Sequence, residues 1–140
     1  MMKYITAILV LALLSVSGVV LAGDYVLITD NSNPVTTISA KDVKNIYLGK
    51  KSVWSDGSHI TVFTQTTSGI NKDFMKEMAR KTPQQYSTYW KKSLFTGTGL
   101  PPKDYPSDDA IKAAVAAKPG SIGYIQASAL DDTVKQLEVN

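Results

Sequence analysis

Residues 60–74 read Ile-Thr-Val-Phe-Thr-Gln-Thr-Thr-Ser-Gly-Ile-Asn-Lys-Asp-Phe. From Ile60 to Phe63, β-branched and aromatic residues alternate and predict a short strand. Thr64 to Thr67 is a run of small hydroxyl and amide side chains. Ser68-Gly69 stands where a helix begins, and Phe74, Met75 and Met78 follow at helical spacing. A strand that passes through a Ser/Thr/Gly turn into a helix leaves backbone N–H groups unpaired. Those donors, with the positive end of the helix dipole, favour an anion. Two readings stay open. Ser68 either caps the helix, with Asp73 supporting the early turns, or the turn is an oxyanion site.

The N-terminus carries a second signal. Lys3 precedes an apolar run from Ile5 to Leu21, and Val20-Leu21-Ala22 before Gly23 has the small-residue character of a cleavage site. The pattern predicts a secretory signal peptide over residues 1–22, cleaved near Ala22, and a periplasmic or otherwise secreted domain over 23–140. An uncleaved anchor competes with it, because the run approaches the roughly 18 residues needed for a span. The cleavage site, with no basic flank after it, favours removal. Loss of Lys3 would lower the formal charge from +3 to +2. So small an excess of positive charge, with signs interspersed, gives no support to nucleic-acid binding. The chain has no cysteine, so neither a disulfide framework nor a lipoprotein anchor is expected.

Strand and helix signals alternate along the rest of the chain. Residues 24–29 form an apolar run of strand length, followed by the turn-rich Asp30-Asn31-Ser32-Asn33-Pro34. Ser39 predicts a helix cap, with Val43, Ile46 and Tyr47 as the apolar stripe and Gly49 as the left-handed terminator. Trp54 reads as a hydrophobic plug in a turn whose tip is Asp56-Gly57. An amphipathic helix is expected over 71–81, and Thr82-Pro83 starts another carrying Tyr86, Tyr89 and Trp90 as packing residues. Residues 94–102 read as a Gly/Pro loop. Ser107 opens a further helix that Pro119-Gly120 ends, and strands follow at 121–125 and 133–139. Gly123 within the first of these suggests close approach of another backbone. The alternation predicts an α/β domain around a small sheet.

His59 is the only histidine, and no nucleophile–base pair or metal-ligand cluster stands out. The chain therefore does not read as an enzyme, and no cofactor is expected.

Five blocks together carry a family resemblance. They are Ile38-Ser-Ala-Lys-Asp-Val-Lys-Asn-Ile-Tyr-Leu-Gly-Lys, Trp54-Ser-Asp-Gly-Ser, Ser68-Gly69 with Phe74, Phe95-Thr-Gly, and Pro119-Gly-Ser-Ile-Gly-Tyr. In this order they resemble the PstS-like phosphate-binding proteins of ABC importers, in a short single-domain branch. The resemblance implies one lobe of a type II periplasmic-binding-protein-like fold, a small mixed sheet flanked by helices. It also implies inorganic phosphate or a similar oxyanion as ligand, and an ABC importer permease or a second protein lobe as partner. Contact with the membrane is expected only through the signal peptide. The family's anion loop usually reads Asp-Gly-Ser-Gly-Thr with an Arg upstream. Here it is Thr66-Thr67-Ser68-Gly69-Ile70, and Thr64 occupies the Arg position, so the resemblance implies Ser68 and Gly69 as oxyanion contacts, with Thr66 and Thr67 filling altered positions. Solute binding without that charge-assisted donor is one expectation. A lobe-derived interaction module that has lost its solute is the other.

Overall fold

The computed structural model describes residues 24–66 and 69–140. The signal peptide expected over 1–22 lies outside the described residues, as do Thr67 and Ser68. Among the described residues, no helix is long and apolar enough to cross a membrane.

Strands β1 (Tyr25–Thr29), β2 (Thr37–Ile38), β3 (Thr61–Gln65), β4 (Lys103–Tyr105), β5 (Ser121–Gln126) and β6 (Lys135–Val139) form one sheet in the order β2-β6-β1-β5-β3-β4. β1 runs antiparallel to both its neighbours, while every other pairing is parallel. The small mixed sheet expected from the sequence is thus present. Two of its strands, β2 and β4, were not legible there. Both are edge strands of two or three residues, too short for a period-2 pattern to register.

β1 explains why helices cover both faces. All five of its residues are buried, with Tyr25 and Leu27 entering one core and Val26 and Ile28 the other. The first core is closed by α1 (Ala40–Tyr47), α2 (Gly69–Phe74) and α3 (Pro83–Phe95), the second by α4 (Asp108–Ala117). A strand with no polar side has to be sandwiched in this way.

Local chemistry sets the helix ends. Ser39 Oγ accepts from the Asp42 amide at 3.1 Å and caps α1, as its sequence position predicts. At the other end, Gly49 has φ +73°, and a Cβ there would stand 2.7 Å from the Trp90 ring. The tyrosines of α3 do more than pack. Tyr86 donates to the Tyr47 carbonyl at 2.7 Å, and Tyr89 to that of Leu48 at 2.6 Å. They thereby satisfy carbonyls that the end of α1 leaves without an intrahelical partner.

The helix expected over 71–81 is altered. α2 passes directly into a π-helix, Met75–Ala79, which Arg80 ends in the left-handed region at φ 58°. The wide turn lets the amides of both Arg80 and Lys81 reach the Met75 carbonyl. Thr82 and Gln85 then form a complete capping box for α3, with Pro83 in its first turn.

Gly123 meets side chains rather than another backbone. A Cβ there would lie 3.0 Å from Ile111 Cγ2 and 3.3 Å from Val115 Cγ2, both on α4. Gly123→Val is therefore expected to overpack this seam and cost about 1–3 kcal/mol. Urea unfolding should show a lower midpoint with an unchanged slope. Wild-type stability in this variant would mean that α4 yields at no cost.

Candidate functional site

The stretch 60–74 reaches the carboxyl end of the sheet and turns there into α2. Tyr124 of β5 pins both sides of that turn. Its hydroxyl accepts from the Gln65 amide at 3.2 Å and donates to Asn71 Oδ1 at 2.6 Å. Its ring stacks on Phe74 with centroids 3.7 Å apart and planes 11° from parallel. Burial pushes the Tyr124 phenol above its ordinary range, so the hydroxyl stays protonated and available as a donor. Gln65, also buried, sends Nε2 to Asp108 Oδ1 at 2.7 Å and to the Tyr124 carbonyl at 3.0 Å. The end of β3 is thus tied to β5 and to the first turn of α4.

On the outer side, the parallel register sets Thr64 beside Asp104. Thr64 is buried at the strand end and donates through Oγ1 to Asp104 Oδ1. Desolvation holds the Asp104 carboxyl above its usual value.

A cavity of about 470 Å³ opens over these strand ends. Thr64, Thr66, Asn71 and Asp104 supply polar groups along it, and Lys91 supplies a cation. Trp90, Leu94 and Pro101 are among the apolar residues opposite. The position follows the general rule that open α/β sheets bind ligands outside the carboxyl ends of their strands.

The four sequence-derived site residues fare differently. Thr66 is exposed and lines the cavity. Gly69 is the first residue of α2, exposed, with open space where a Cβ would stand. Thr67 and Ser68 lie outside the described residues. Ile70, at the position of the family's Thr, is buried in the first core and presents no donor to the cavity. Asn71, Asp104 and Tyr124 were not singled out as site residues from sequence. Asn71 read as part of a helix, Tyr124 as part of a buried strand, and Asp104 sits on the edge strand that lacked a periodic signal. Among the described residues, no group of three or more His, Cys, Asp or Glu is placed to hold a metal ion.

The family model for the PBP superfamily domain matches residues 18–139. The chain belongs to the PBP superfamily. Solved structures agree on the fold of this PBP domain. A candidate phosphate ABC transporter substrate-binding protein from Clostridium perfringens, solved with bound phosphate, superposes with TM-score 0.65 at 23% identity, covering 83% of this chain and 44% of that one. An ABC-type phosphate transport receptor from Vibrio cholerae gives TM-score 0.58 at 18% identity, covering 83% and 46%. PstS from Borrelia burgdorferi gives 0.60 at 18%, covering 84% and 47%. The PBP domain therefore spans less than half the length of these structures. No curated protein matches its sequence. The mixed sheet flanked by helices and the PBP relationship expected from the motifs are the ones found.

Proposed function

We propose that residues 23–140 form an exported solute-binding domain that takes phosphate or a related oxyanion at the turn between β3 and α2. The observation that carries this reading is the frame on either side of the turn. Tyr124 joins Gln65 at the end of β3 to Asn71 of α2, and a cavity with Thr66, Asn71 and Lys91 on its lining opens beside them. Backbone donors, hydroxyls and one lysine can hold an oxyanion in place of the missing arginine. The cavity is larger than one tetrahedral ion needs, so the ion occupies the polar end beside Thr66. The functions of the Clostridium and Vibrio proteins, in which phosphate is bound or transported, point the same way.

The test is thermal unfolding in phosphate-free buffer, titrated with phosphate and separately with sulfate at constant ionic strength. Saturation at ~100 times the dissociation constant should stabilise the protein by about 2.7 kcal/mol. Thr66→Ala and Ser68→Ala are each expected to weaken phosphate by about tenfold, the worth of one charge-assisted hydrogen bond. Unchanged affinity in both would remove the turn as the binding site.

A partner-binding module is the second reading. Phe95 is 94% exposed and Leu100 78%, and Leu94, also exposed, lines the same cavity. Such an apolar lip suits a second lobe, a permease or another copy of the chain. Sedimentation that shows only monomers, with no partner co-purifying, counts against it.

A further inference from the structure

The helical segment 69–79 separates its charges by side. Glu77 accepts from the Tyr25 hydroxyl at 2.5 Å. Burial pushes that phenol above its ordinary range, and Glu77 and Asp73 add to the effect, so both acids act toward Tyr25. The basic residues gather elsewhere. Lys72, Lys76, Arg80 and Lys81 line a cup of about 290 Å³ together with Thr82, Pro83 and Gln85. Among the described residues, no carboxylate lines it. The ion pairs found among the described residues involve Lys51 and Lys112, and none reaches these four cations.

Cations near a helix C-terminus complement its dipole, which accounts for about half a unit of charge. Four exceed that, and they repel one another at close range unless an anion joins them. One of the four is held in place, since Lys81 Nζ sits 5.2 Å from the centre of the Tyr89 ring. Arg80 is the left-handed residue that ends the π-helix. Thr82 and Pro83, which open α3, line the same cup.

We infer that this cup is a second anion site, which takes a soluble phosphoryl compound carrying several negative charges, of the pyrophosphate type. Its concavity suits a compact polyanion. Its lining offers none of the exposed aliphatic or aromatic residues with which a protein enters a lipid surface. Pro83 also lines the cavity over the strand ends, so the two sites share a wall. An anion held in the cup would thus offset the positive field of these cations beside that cavity.

Calorimetric titration of the purified protein with inorganic pyrophosphate, at fixed ionic strength, tests the inference. One saturable site is expected, weakened by ~10-fold or more in Lys76→Gln/Arg80→Gln. Lys72→Gln/Lys76→Gln leaves the Arg80 backbone untouched and should show a comparable loss. Phosphate titrated into either variant should still report the cavity site. A pyrophosphate site that depends on these cations in a protein that ignores phosphate would uphold the cup and reject the function proposed above. Unchanged pyrophosphate affinity in both variants would overturn it. So would a response equal to that of chloride, or binding to phosphatidylglycerol vesicles without any response to pyrophosphate.

Discussion

Replacing Phe74 with alanine is expected to cost about 3–5 kcal/mol, the range for truncating a buried aromatic. Phe74 is fully buried, stacks on Tyr124, and meets Tyr47 and Tyr25 edge-on at centroid distances of 4.7 and 5.6 Å. A cavity here removes one side from three aromatic rings at once. The loss is a large share of the 5–15 kcal/mol that holds an ordinary domain together. It should reach the site as well. The Tyr124 hydroxyl spans Gln65 and Asn71 only while its ring is backed by Phe74, so phosphate affinity should fall along with stability. Phe74→Leu keeps most of the volume and should recover much of both. Urea unfolding and phosphate titration on the two variants check this. A loss below about 1 kcal/mol in Phe74→Ala would show that the surrounding rings collapse into the space.

Asp104→Asn is expected to change which oxyanion is preferred. A carboxylate in an anion site repels a fully ionised oxyanion and accepts a hydrogen bond from one that keeps a proton. Sulfate at neutral pH carries no proton, whereas hydrogen phosphate does. A hydrogen bond to a charged group contributes about 1.5–3 kcal/mol, which corresponds to roughly 10- to 150-fold in relative affinity. The asparagine variant should therefore bind phosphate more weakly and sulfate more tightly, narrowing the ratio by at least ~10-fold. The pH dependence follows from the direction of the shift. Desolvation raises the Asp104 pKa, so its proton returns at a higher pH than for an ordinary aspartate. Once protonated, the carboxyl becomes a donor and ceases to repel sulfate. In the wild type, selectivity for phosphate should fade on acidification, starting above the usual aspartate range, and in Asp104→Asn this component should vanish. A phosphate-to-sulfate ratio that stays the same in the variant would exclude Asp104 from the site.

Much of the architecture was legible along the chain, because the signals that carry it are local. Ser39 and Ser107 cap the helices they precede, and Gly49 ends α1 in the left-handed conformation. The apolar run at 24–29 became the strand buried on both faces. Trp54 is a buried plug, its indole donating to the Gly120 carbonyl at 3.0 Å. Each of these follows from side-chain chemistry acting within a few residues, or from an apolar pattern that needs no knowledge of its partner. The turn after β3 was legible as an anion candidate for the same reason.

Long-range pairing was not. The contact between Thr64 and Asp104 joins residues forty positions apart, and it exists because β4 lies in parallel register beside β3. Three residues of edge strand carry no period that would announce the pairing. Tyr124 reaches Asn71 across 53 positions, and nothing near either residue signals it. The basic cup arises from a helix end, a left-handed arginine and the start of the next helix, which the sequence shows only as scattered lysines. By itself, then, the sequence determined the longer strands, most of the helices and their caps, the buried faces and the PBP relationship, since each depends on neighbours in the chain. Only the tertiary structure decided which charges face the strand-end cavity and which are gathered away from it, because sheet order and register, not sequence distance, set what stands beside what.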